Sequence, residues 1–213
     1  MSLARLDHII YSVPNIEKSH RALLKQYPEA WPVGRFWPDG LTSGIAIGGI
    51  NLELIQFDVN PPVAGVGTTL VFQPTSFEDA VSAFARAGLP AVVVNKNENE
   101  PEKLRQRGFG ESESQTPQWI CRNLVPERPE DLPFDFFICE YAPFLRRHLS
   151  PDNPRLQTSA RVTEITVGTA EPDAARSLLS ELQYIGEIRI RFVGHDDRRI
   201  IEIGTSSGPL VKF

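Results

Sequence analysis

Two rhythms of apolar residues alternate along the chain. Leu6 to Val13 (Leu-Asp-His-Ile-Ile-Tyr-Ser-Val) is rich in β-branched and aromatic residues and ends at Pro14, which predicts a strand. Asn15 then stands as a helix N-cap with Glu17 in the first turn. Ile16, Leu23, Leu24 and Tyr27 follow at helical spacing, and Pro28 ends the run. Residues 28–40 are rich in Pro, Gly and aromatics, with an extra strand expected near Gly34 to Trp37. Thr42 to Ile47, Gly48-Gly49 and Ile50 to Phe57 read as a hairpin. The unit is strand, helix, then two or three strands.

The order recurs. Thr68 to Phe72 predicts a strand, and Ser76 to Ala87 an amphipathic helix with Gly88 at its C-terminal end. Strands follow at Ala91 to Val94, Trp119 to Val125 and Phe134 to Tyr141. A polar loop (96–118) lies between the first two of these, and a connector follows the last (142–159). It recurs again with a strand at Arg161 to Gly168 and a helix at Pro172 to Tyr184. Strands at Ile188 to Val193, Arg199 to Ile203 and Leu210 to Phe213 complete that round. The expected class is α+β, with repeated βαβββ modules.

Composition narrows the function. Twenty-two Lys and Arg against 27 Asp and Glu give a net charge of -5, which argues against a nucleic-acid or anionic-membrane surface. No apolar run is long enough to span a bilayer and the first residues lack a signal core, so a cytoplasmic protein is expected. Two Cys cannot make a disulfide framework. If the hairpin pairs Val125 with Asp135, Cys121 faces Cys139 across it, as two buried thiols without a bridge. Nucleotide-binding glycine loops, the Gly-x-Ser-x-Gly elbow and Cys-x-x-Cys are all missing. His20, His148 and His195 fall in polar surroundings and are expected to face solvent.

Leu6-Asp7-His8-Ile9-Ile10 and Asn51-Leu52-Glu53-Leu54-Ile55, in this order and spacing, resemble the vicinal-oxygen-chelate superfamily, the family of glyoxalase I, extradiol dioxygenases and bleomycin-resistance proteins. Val33-Gly34-Arg35, Ala46-Ile47 and Phe134 to Tyr141 are similar to its glyoxalase-like group. The resemblance covers residues 5–145. It implies two modules forming one cupped mixed sheet, with metal and substrate inside the cup, and leaves a third C-terminal module at 160–213. A lone module of this kind has an open face, so it is expected to pack on the main domain or on its twin in a homodimer.

Carried over position by position, the resemblance implies His8 and Glu53 as metal ligands. A nitrogen and a carboxylate suit a divalent ion such as Mn, Fe, Ni, Co or Zn. Strict alternation puts His8 on one strand face with Leu6 and Ile10, and Glu53 on one with Asn51 and Ile55. In the second module Thr69 falls opposite His8 in the alignment. Glu140 is the acidic candidate there for metal and catalysis, although strict register puts Phe137 in its place. A His8–Glu53 pair without metal is a further reading. Arg35 and Trp37, with Trp119 opposite, are candidates for substrate contact at the cup mouth. The implied functions are an isomerase, lyase or dioxygenase acting on a small oxygenated metabolite with Glu53 and Glu140 moving protons, or a protein that binds such a molecule without turnover.

Overall fold

The computed structural model describes residues 3–25, 27–28, 30–37, 40–47, 50–58, 68–96, 121–142, 161–206 and 208–209. The expected loop at 96–118 (beyond Lys96), Trp119, the connector after Ala142 and the last strand at 210–213 lie outside them.

The first module runs β1 (Leu3–Ser12), α1 (Ile16–Leu24), β2 (Trp31–Trp37), β3 (Gly40–Ile47) and β4 (Ile50–Phe57). Asn15 caps α1 by accepting the Lys18 backbone N–H at 2.8 Å. Ile47 pairs with Ile50, as the predicted hairpin requires, and Gly48-Gly49 lie outside the described residues. The second module runs β5 (Thr69–Pro74), α2 (Phe77–Arg86), β6 (Ala91–Lys96), β7 (Cys121–Pro126) and β8 (Phe136–Tyr141). Ser76 caps α2, and Gly88 ends the segment with φ +66, a left-handed turn that glycine adopts without steric cost.

Both modules share one eight-stranded sheet, in the order β2-β3-β4-β1-β5-β8-β7-β6. Within each, the last strand lies parallel to the first. Ile10 pairs with Glu53 in β1–β4, and Val71 pairs with Phe137 in β5–β8. The modules meet through the antiparallel pair β1–β5. This register makes Phe137 the counterpart of Glu53, as the alternation of β8 had indicated.

One face of the sheet carries Leu52, Leu54, Phe72, Phe136 and Ile138 and packs against α1 and α2 in a single apolar core. The third unit joins that core. It runs β9 (Val162–Thr169), α3 (Pro172–Glu181), β10 (Arg189–Gly194), β11 (Arg199–Thr205) and a short β12 (Gly208–Pro209). The order along the chain matches the other two modules, but the pairing is β10-β9-β11-β12. Its first strand sits parallel to the strand that follows the helix and antiparallel to the next one, so β9 is central rather than beside the last strand.

This unit is stitched to the first sheet. Phe134 stacks on Phe136 and on Phe192 at 5.0 and 4.9 Å between ring centres, and Phe72 meets Tyr184 at 5.5 Å. Ile185 N–H donates to the Leu3 carbonyl at 3.1 Å. Arg198 donates to the Leu132 carbonyl and pairs with Asp135. No described helix is long and apolar enough to cross a membrane.

Candidate acid–base site on the sheltered sheet face

The site begins with a departure from alternation. Leu6 pairs with Phe72 and His8 with the adjacent Val71, so Asp7 is an extra residue in β1. This β-bulge places Leu6 and His8 on opposite faces, against the expectation that they share one. Leu6, with Leu3 and Ile9, enters the helix-side core. His8 turns to the other face, where its ring meets Phe137 edge-on at 6.3 Å. The same bulge brings two sequence neighbours, Asp7 and His8, side by side.

Asp7 and His8 are 1% and 7% exposed, so they form their pair out of water. Asp7 Oδ2 accepts from His8 Nδ1 at 2.8 Å and from the Tyr141 hydroxyl at 3.1 Å. Tyr141 reaches across from β8, and its oxygen also lies 3.4 Å from His8 Nδ1. The guanidinium of Arg5 approaches the second Asp7 oxygen at 3.8 Å, while its Nε donates to Gln73. The hydrogen bonds of the His8 ring described above are both made by Nδ1.

Burial lowers the His8 pKa, but the hydrogen bond and charge of Asp7, then the charges of Glu53 and Cys121, more than offset it and leave the pKa raised above 6.5. Tyr141 is held well above the usual phenol value by burial, then by the negative charge of Asp7 and its neighbours. The sign of the His8 shift fixes a prediction. A folded-state pKa above the unfolded one contributes stability that is fully present below pH about 6.5 and fades as pH rises through the folded value. Urea unfolding from pH 6 to pH 9 should therefore show a fall in stability that His8→Gln removes. An unchanged slope in that variant would contradict the assignment.

Glu53 is partly exposed on β4, beside Ile10 on β1 and Gly44 on β3, with Asn51 and Ile55 on its own face. Its charge reaches both His8 and Tyr141. The structure thus brings His8 and Glu53 onto one face and leaves Glu140 out. Glu140 shares the opposite face with Ile138, where Arg122 Nε donates to it at 2.6 Å. Arg122 also bonds Glu78 of α2 and lies over the Phe77 ring at 4.2 Å. Glu140 thus ties β7 and β8 to α2 on the helix side through Arg122, away from His8 and Glu53.

The remaining candidates divide. Arg35 is clamped by Asp58 through two hydrogen bonds, of 2.6 and 2.8 Å, in a pair about half exposed on both sides; the structure does not bring it to His8. Trp37 ends β2 opposite Gly40, and its side chain lies outside the described residues, as does all of Trp119. His20, expected in solvent, bonds the fully buried Ser43 at 2.8 Å and joins α1 to β3. His195 caps its own turn by accepting from the Asp197 N–H.

Cys121 pairs with Tyr141 and Cys139 with Asn123, two residues away from the expected register. The 3₁₀ turn Pro129–Asp131 takes up the difference. The two thiols are diagonal neighbours on the sheltered face rather than opposite each other. Both are free and 3% exposed. The hydrogen bond that the Cys139 thiol donates to Cys121, then burial, pushes the Cys139 thiol well above its ordinary value. Ellman's reagent should thus label neither thiol rapidly in native protein and both after unfolding.

Two groups central to the site, Asp7 and Tyr141, escape a position-by-position carry-over. A signal for Tyr141 was present. Once Phe137 is the counterpart of Glu53, alternation puts Cys139 and Tyr141 on the same face.

The donor set also tests the implied divalent ion. The first module offers His8 and Glu53, while the matching slots of the second hold Thr69 and Phe137, and Glu140 points away. No group of three or more His, Cys, Asp or Glu side chains suited to an ion gathers among the described residues. Two donors fall short of the three or four that hold such ions. The residues described here do not fit a resident metal.

No protein-family model and no curated protein matches the chain. Solved structures do. A hypothetical protein from Staphylococcus aureus superposes with TM-score 0.63 and 9% identity over 92% of this chain and 88% of that one. Homoprotocatechuate 2,3-dioxygenase from B. fuscum, in a variant complexed with HPCA, gives 0.55 and 13% over 96% of this chain and 57% of the dioxygenase. A variant of 4-hydroxymandelate synthase from Streptomyces coelicolor gives 0.53 and 10% over 85% and 53%. The fold is of the vicinal-oxygen-chelate type. At these identities the likeness is one of fold, and the chain spans little more than half of the two enzymes.

Proposed function

We propose that this vicinal-oxygen-chelate-fold protein is a glyoxalase-like enzyme. It binds a small oxygenated metabolite on the sheltered face of the eight-stranded sheet and moves a proton next to its carbonyl. The observation that carries the reading is the Asp7–His8 pair, buried at a bulge, with the half-buried Tyr141 bonded to it, on the same face as Glu53. Buried charged and polar groups are costly unless paired, and a bulge that brings the Asp7–His8 pair and the Tyr141 hydroxyl together on one sheet face supports a site held for chemistry. Asp7 orients the His8 ring and balances its charge. The His8 Nε2–H then faces a substrate carbonyl oxygen and stabilises the negative charge that develops there as the carbon beside it loses its proton. Glu53, partly exposed, is the group on this face that takes that proton. Ile10, Val71 and Phe137 supply apolar walls.

Binding without turnover is the second reading, favoured by Thr69 and Phe137 standing where a second pair of reactive groups would be. Exchange of the α-protons of hydroxyacetone in deuterated buffer, followed by proton NMR, separates the two. Enzyme-dependent exchange that drops by about 10²–10⁴-fold in Glu53→Gln supports the enzyme. No exchange above buffer would overturn it in favour of a binding protein.

A further inference from the structure

The sheltered face has a second polar row beside the His8 row. Arg5 of β1 pairs with Gln73 of β5, and farther along the same sheet Asn123 of β7 pairs with Cys139 of β8. Directly paired residues of antiparallel strands share a face, so Asn123 lies with Cys139 in the cluster that Tyr141 borders. Asn123 is 7% exposed, yet its Oδ1 has no hydrogen-bond partner. A buried amide oxygen without a donor is destabilising, and apolar neighbours of similar size would serve the core better. The neighbours on this face are Val71, Cys121 and Cys139, none of which calls for an amide. What gives such an acceptor a use is a donor that arrives with a ligand.

We infer that Asn123 is a specificity-determining contact of this site. Its Oδ1 accepts a hydrogen bond from a hydroxyl or amide N–H at the end of the ligand remote from His8. The inference rests on the reading that the sheltered face binds a carbonyl compound. Strands β1 and β7 are three spacings apart, about 14 Å along a flat sheet and less on a curled one. The ligand class is therefore a carbonyl compound with a hydrogen-bond donor roughly 8–12 Å from its carbonyl, across an apolar middle.

A pair of aryl ketones has this shape and differs by one hydroxyl: 4-(4-hydroxyphenyl)-2-butanone and 4-phenyl-2-butanone. Calorimetric titration of the full chain with each gives two dissociation constants. The expected result is tighter binding of the hydroxylated ketone by about tenfold or more, because the other ketone leaves the acceptor empty. In Asn123→Leu, nearly the same size, the preference should vanish while the ligand-free protein melts at the same temperature or higher. That combination is one that a structural asparagine would not give. Asn123→Ala carries the same expectation for the preference if the leucine variant does not fold. Equal binding of both ketones by the wild type, or a preference that survives both substitutions, overturns the inference and leaves the His8 site standing. Binding of neither ketone overturns both.

Discussion

Phe134→Ala is expected to lower the free energy of unfolding by about 3–5 kcal/mol, because it removes a fully buried ring where two sheets meet. Phe134 lies between Phe136 of β8 and Phe192 of β10. Phe136 in turn touches Phe72 of β5 and Phe84 of α2. One ring thus links the second module, its helix and the third unit. The third unit closes the helix-side face over β1 and β5, and the core is continuous from Leu6 to Ile203. The loss should appear in one cooperative urea transition. Phe192→Ala should cost a similar amount, and the double variant less than the two together, since the rings share one contact. Two separate transitions in the wild type, only one of them shifted, would mean that the third unit folds by itself.

Asp7→Asn is the second large effect, about 3–5 kcal/mol, and it should depend on pH. Asp7 is the counter-ion of a buried imidazole and the acceptor for Tyr141. Near pH 6 the unfolded chain still binds the His8 proton while the folded variant has lost the main group that held it, so the cost is greatest there. Near pH 8.5 the ring can be neutral and the asparagine oxygen can still accept from Nδ1, so the cost shrinks. Combining Asp7→Asn with His8→Gln should restore part of the loss, because no charge is then left uncompensated. A loss of equal size at both pH values would show that the pair is not ionised.

Much of the fold could be read from the chain because its signals are local. Asn15 and Ser76 cap the helices they begin, and β3 and β4 pair antiparallel as the predicted hairpin requires. His8 and Glu53 could be read from their place in matching strands, and they do share a face. The rest depended on pairing, which acts between distant residues. The bulge at Asp7 cancels the alternation that had set His8 beside Leu6. A second register shift, between Leu3 and Arg5, acts the same way upstream, so Leu3, Leu6 and Ile9 are all buried in the helix-side core. The third unit has the same order of elements as the others, and nothing in that order says which edge of β9 receives β10. Glu140 needed the other half of its ion pair, since a carboxylate reads alike whether its partner is an ion in a cup or Arg122 beside a helix.

The groups on the sheltered face, as proposed, move a proton by themselves, without a metal ion. The measurement is hydroxyacetone proton exchange by protein dialysed against a chelator, then with Mn, Co or Zn added back. Exchange should survive chelation at its full rate and be lost in Glu53→Gln. Exchange abolished by the chelator and restored by one of these ions would contradict metal-free proton transfer.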